Sequence, residues 1–140
     1  AAADRGKVEI RTDVAPGLRC QVDEDLLGSV LVNLTKNAVE AIEGDSGTVA
    51  IRAEPREDGG ALIEVADDGV GVAPDDMERL FTPFFSRKEA GVGLGLCVSR
   101  RIVEQHGGTL AVESEPGRGT RVRVCLPDVQ CRQVRMEGEA

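Results

Sequence analysis

The chain has 140 residues, enough for one domain with a real core, and its 41% hydrophobic and 30% charged content is ordinary for a water-soluble fold. Its 25 acidic residues outweigh 17 basic ones, and the net charge of −8 excludes general nucleic-acid binding through a basic surface. No apolar run approaches the roughly 20 residues that cross a bilayer, and Ala1 to Gly6 lacks a signal-peptide pattern. The expectation is a cytoplasmic domain, or the cytosolic part of a longer protein, without membrane contact of its own.

Lys7-Val-Glu-Ile-Arg11 alternates polar with apolar, and Leu18-Arg-Cys-Gln-Val22 does so again after Pro16-Gly17. The pattern predicts strands joined as a hairpin. From Asp23 to Ile42 the spacing becomes helical, with Leu27, Val30, Leu31, Leu34, Ala38, Ala41 and Ile42 on one face. Asp23 or Asp25 suits the start and Gly44 the stop. Residues 48–53 and 61–65 read as strands separated by Arg56-Glu-Asp-Gly-Gly60. Pro74 to Leu80 reads as a short helix with proline in its first turn and acids behind it. Residues 81–93 lack periodicity and read as a loop, and all three phenylalanines, Phe81, Phe84 and Phe85, lie at its start. A helix from Leu94 to Gln105 ends at His106-Gly-Gly108. Strands over 109–113 and 120–126 flank a Pro116-Gly117 turn.

These elements predict an α/β fold, a two-layer sandwich whose mixed sheet is covered on one face by helices. Residues 1–6 read as a flexible start, 7–127 as the domain and 128–140 as a polar, frayed tail. Of the four cysteines, Cys20, Cys97 and Cys125 sit in apolar segments and read as buried free thiols. With a single histidine and no Cys-x-x-Cys pair, a zinc cluster is not expected.

Three motifs follow in fixed order. Asn33 and Asn37 are stacked one helical turn apart, and an amide oxygen suits magnesium, a hard cation completed by substrate phosphates. Asp67 ends a strand ahead of Gly69 and Gly71, and a carboxylate only accepts hydrogen bonds, which fits the exocyclic amine of adenine. Gly91, Gly93 and Gly95 lead into a helix, where unpaired N–H groups make a phosphate site. The spacing is neither a Rossmann fingerprint nor a Walker loop. Arg87 and Lys88, just upstream, offer positive charge to a terminal phosphate. Alone, each pattern is commonplace: surface amides, a solvated turn, a hinge, loop cations. As an ordered set they point to a nucleotide. His106, at a helix end, suits the last carbonyls and the dipole better than catalysis.

Carrying Asn33-Leu-Thr-Lys-Asn-Ala-Val-Glu-Ala41, Asp67-Asp-Gly-Val-Gly71, Phe81-Thr-Pro-Phe-Phe-Ser-Arg-Lys88, Gly91-Val-Gly-Leu-Gly-Leu96 and Gly117-Arg-Gly-Thr120, the chain resembles the ATP-binding catalytic domain of two-component sensor histidine kinases. That domain belongs to the gyrase, heat-shock chaperone, histidine kinase and mismatch-repair ATPase superfamily with its Bergerat-type fold. The resemblance spans about 7–127, and the short lid with Asn-Ala-Val-Glu-Ala is closest to the nitrogen- and oxygen-sensing subfamily. It implies ATP and magnesium as cofactors, with Asn37 on the metal and Asn33 beside it. Asp67 would hold adenine, with Gly69 and Gly71 nearby and Thr120 assisting. Residues 82–93 would form the ATP lid, anchored by Phe81 and Phe84. Backbone N–H groups at Gly91, Gly93, Leu94, Gly95 and Leu96 would meet the phosphates, with Lys88, or Arg87, on the terminal one. Asn33 and Lys88 are the residues implied at the reacting group.

In the gyrase and chaperone branches a glutamate that activates water stands where this chain has Asn33. An amide is a poor base, so the resemblance implies phosphoryl transfer to a protein. Glu40, where other sensor kinases often carry a basic residue, leaves Lys88 as the main cation. The acceptor histidine would lie on a separate dimerisation domain of the same protein, with a response regulator downstream. The alternatives are an ATP-hydrolysing switch, a non-catalytic nucleotide-dependent module and a serine kinase of the anti-sigma-factor type.

Overall fold

The computed structural model describes residues 8–44, 46–83, 95–127 and 131–133. Its elements are β1 (Val8–Val14), β2 (Leu18–Cys20), α1 (Glu24–Glu40), β3 (Gly47–Pro55), β4 (Ala61–Asp67), α2 (Pro74–Met77), α3 (Gly95–Gln105), β5 (Thr109–Glu115), β6 (Gly119–Leu126) and β7 (Cys131–Gln133). Five strands form one sheet in the order β1-β3-β4-β6-β5, and β2 and β7 form a two-stranded ribbon. Within the large sheet β1 runs parallel to β3, and the other pairs are antiparallel. The expected mixed sheet is therefore present.

The register sorts side chains by face, because alternate residues of a strand point to opposite sides. One face carries the row Thr12, Ile51, Val65, Val122, Val112 and, beside it, Val14, Ala53, Ile63, Val124, Leu110. Leu27, Val30, Leu34 and Ala38 of α1 and Ile102 and Val103 of α3 join Val49, Val65, Val122 and Val124 in the buried core. Each fully buried aliphatic chain contributes roughly 1.5–3 kcal/mol. The opposite face is polar: Arg123 donates through Nε to Glu64 Oε2 at 3.0 Å and through an Nη to Glu113 Oε1 at 2.8 Å. These partners, Glu64 first, raise the pKa of the Arg123 guanidinium above its ordinary value.

Asp23 caps α1, its Oδ1 accepting from the Leu26 N–H at 3.0 Å, which satisfies one of the four orphan donors of the first turn. The helix ends at Glu40 with Ala41 as C-cap, a turn earlier than Gly44 suggests. The Ala41 carbonyl accepts from Val70 N–H at 2.9 Å, so a partner from another segment closes the helix end. The helix from Pro74 stops at Met77, short of Leu80.

Three expectations fail. Pro16-Gly17 does turn the chain, with Gly17 at φ 77°, yet β1 and β2 are not a hairpin. β1 pairs with β3, and β2 pairs with β7. Part of the segment expected to fray therefore returns as a strand, with Cys131 opposite Cys20 in the register. Cys20 is disulfide-bonded, against the expected free thiol, whereas Cys97 and Cys125 are free.

Candidate nucleotide-binding site

One row of the sheet breaks the apolar pattern. On the helix-covered face, the step after Ile51, Val65, Val122 and Val112 reads Val49, Asp67, Thr120 and Ser114. Three polar side chains thus stand side by side at one end of the core, where three different strands finish or begin. Asp67 Oδ1 accepts from Gly69 N–H at 2.8 Å, fixing the turn that follows β4. An ionised carboxylate only accepts hydrogen bonds, at about four lone-pair sites.

The Asp67–Gly71 turn is held from two sides. Val70 N–H bonds to the end of α1, and the Val70 carbonyl accepts from Gly117 N–H at 2.8 Å. Asp68 Oδ1 accepts from Thr48 N–H at 2.8 Å, so the second aspartate is a brace at the start of β3. A Cβ on Gly69 would lie 2.4 Å from the Ala41 oxygen, and one on Gly71 2.1 Å from the Glu115 oxygen. Both glycines are needed by the protein's own close packing.

On α1, Asn33 and Asn37 are half-buried and one turn, roughly 6 Å, apart. Asn33 Nδ2 donates to Ser99 Oγ on α3 at 3.1 Å. A Cβ on Gly95 would fall 2.4 Å from Asn33 Oδ1, so the first turn of α3 lies directly against this amide. The C-terminal half of α1 therefore touches α3 at Asn33 and the aspartate turn at Ala41, with Asn37 one turn from each. The unpaired N–H groups of a helix start, with their partial positive charge, are a natural seat for phosphate. Leu96, beside Gly95, packs against the core.

Phe81 packs against the same core, and the Arg100 guanidinium of α3 sits 4.0 Å from its ring centroid. That contact ties Phe81 to α3. Phe84, Arg87, Lys88, Gly91, Gly93 and Leu94 lie outside the described residues.

His106 is structural. Its Nε2 accepts from Asp23 N–H at 3.1 Å, so in the neutral ring the proton is on Nδ1, which donates to the Ile102 carbonyl at 2.8 Å. Both ring nitrogens are thereby engaged, and α3 is tied to the cap of α1. A shallow hollow lined by Arg56, Asp58, Gly108, Thr109 and Pro127 lies at the other end of the sheet. The register separates Ala61 and Leu126 from Asp67 and Thr120 by the length of β4, so it is remote from the motif residues.

Sequence reading missed Ser114. The signal was there: Leu110, Val112 and Ser114 alternate along β5, and a hydroxyl ending an apolar face marks where the core stops.

A two-layer α/β domain with a polar row at one sheet end and a helix start against an amide belongs to the nucleotide-binding class. Residues 22–130 match the family described as histidine kinase-, DNA gyrase B-, and HSP90-like ATPase, and the chain belongs to this family, whose domains bind ATP. The sensor histidine kinase ZraS of Salmonella typhimurium is 44% identical over 82% of this chain and 24% of its own length. The C4-dicarboxylate transport sensor protein DctB of Rhizobium meliloti is 46% identical over 84% of this chain and 19% of its own. The chain thus spans about a quarter or less of the length of these two relatives. Among solved structures, the mycobacterial sensor histidine kinase MprB superposes with a TM-score of 0.81 at 27% identity, covering 94% of this chain and 89% of that one. Full-length ShkA in complex with AMPPNP gives a TM-score of 0.79 at 32% identity, covering 96% of this chain and 28% of that one.

Proposed function

We propose that this domain binds Mg-ATP with adenine at Asp67 and Thr120 and phosphates at the start of α3, and donates the terminal phosphate to a histidine on a separate dimerisation domain. A response regulator would receive it next. The observation that carries this reading is the Asn33 amide, held by Ser99 against the first turn of α3. A carboxylate there would be a general base for water; a neutral amide positions phosphate without activating a nucleophile. Sensor-kinase relatives, and the AMPPNP held by ShkA, support the same reading. With both His106 nitrogens engaged, the acceptor belongs on another domain.

Catalysis in such a site is positioning and charge neutralisation, with little covalent work for the protein. Asn37 is the residue proposed to hold magnesium through its amide oxygen, and the metal's role is to neutralise phosphate charge. Gly95 and Leu96 would supply backbone donors, with Gly91, Gly93 and Leu94 before them. Lys88, or Arg87, would bring the balancing charge from the lid at 82–93. A cytoplasmic location fits this chemistry, and no described helix is long and apolar enough to cross a membrane.

The test mixes the chain with ATP labelled at the terminal phosphate and a dimerisation domain from a sensor kinase such as ZraS. Acid-labile, base-stable phosphate on that partner is expected, with none on this chain. Steady release of inorganic phosphate without transfer would establish the hydrolysing alternative instead.

A further inference from the structure

Ser114 has one hydroxyl proton and three hydrogen-bond partners. Its Oγ accepts from Val72 N–H at 2.8 Å, donates to the Gly119 carbonyl at 2.9 Å and lies 2.8 Å from Thr120 Oγ1. A carbonyl cannot donate, so the serine proton is on Gly119. The bond to Thr120 must then run the other way, from the threonine hydroxyl to the serine oxygen. The Thr120 proton is consumed within the protein, and only its lone pairs face outward. Asp67, its cross-strand neighbour, is likewise an acceptor when ionised.

We propose that Ser114 is a positioning residue that sets base selectivity: by holding the Thr120 proton it leaves the base pocket with acceptors alone. Such a pocket takes a purine offering an amine at position 6 and rejects one offering a carbonyl oxygen, since two acceptors facing each other leave both unsatisfied. The inference rests on the placement of adenine at Asp67 and Thr120 given above. Val72 N–H, just past the aspartate turn, and Gly119, at the start of β6, tie the hydroxyl to both walls of the site. The serine is thus fixed from two elements, and its orientation is not free to adapt to a different base.

The test titrates ATP and inosine triphosphate, which differ at this position of the base, into the chain with magnesium. Wild type should bind ATP more tightly. Ser114→Ala frees the Thr120 hydroxyl to turn and donate, and the ATP-to-inosine preference should fall roughly three- to tenfold. Ser114→Thr, which keeps the hydroxyl, should restore it. Equal weakening of both nucleotides in Ser114→Ala would overturn the proposal, since that is what a purely structural serine does. If Ser114→Ala fails to fold, Thr120→Val carries the test: the preference must fall there too, and an unchanged preference overturns the proposal. Failure of wild type to bind ATP at all would instead sink the site assignment on which it rests.

Discussion

Gly117 and Gly119 stand in one turn, share a left-handed backbone and differ in what surrounds them. Their φ angles are 79° and 105°. A Cβ added to Gly117 meets nothing within 4 Å, whereas one added to Gly119 would lie 2.0 Å from the Asp67 oxygen and 2.9 Å from Asp68 Cα. Gly117→Ala therefore suffers backbone strain alone, about 1–2 kcal/mol. Gly119→Ala adds a collision with backbone that cannot rotate away, and overpacking of this kind costs a further 1–3 kcal/mol or so. The expected losses are about 1–2 kcal/mol for the first variant and about 2–5 kcal/mol for the second. In a domain of this size each kcal/mol lowers the melting temperature by roughly 3–5 °C. Urea unfolding followed by circular dichroism measures both. Relief of the Gly119 collision must push β6 from the end of β4, separating Thr120 from Asp67, so ATP affinity should fall at least about tenfold in that variant only. Equal stability losses, or undiminished ATP affinity in Gly119→Ala, would refute the close approach as the reason for glycine.

Asp67→Asn keeps an oxygen for Gly69 N–H but replaces an ionised acceptor by a half-donor, so the fold should persist while ATP affinity drops roughly tenfold or more by calorimetry. His106→Ala should cost about 1–2 kcal/mol of stability, from two lost hydrogen bonds, while phosphate transfer to a supplied dimerisation domain persists; loss of transfer in a folded variant would contradict the structural role. Cys20→Ser, or reduction, should lower stability by about 2–4 kcal/mol, because the disulfide at Cys20 constrains the unfolded chain; an unchanged melting temperature would mean the bond adds nothing to stability. Asn33→Ala removes the partner of Ser99 Oγ beside the phosphate seat and should depress transfer more than ATP affinity, as single-turnover kinetics would show.

What was legible in the sequence was local. The apolar stripe from Leu27 to Ala38 announces α1, Asp23 or Asp25 its cap, and Pro16-Gly17 the turn before it, because each depends on residues within a few positions. The motif order was legible as well, through the chemistry of amide, carboxylate and glycine. Alternation in a strand states which residues share a face; it does not name the neighbouring strand. That is why β1 and β2 read as a hairpin, although β1 pairs in parallel with β3 and β2 with a strand from the far end of the chain. The same limit hid the Cys20 disulfide, the return of β7 and the line of Asp67, Thr120 and Ser114 across three strands. Sequence alone determined that a nucleotide motif set is present. Only long-range pairing decided which hydroxyl proton is consumed inside the site, because strand register is set by the buried face as a whole and not by any one segment.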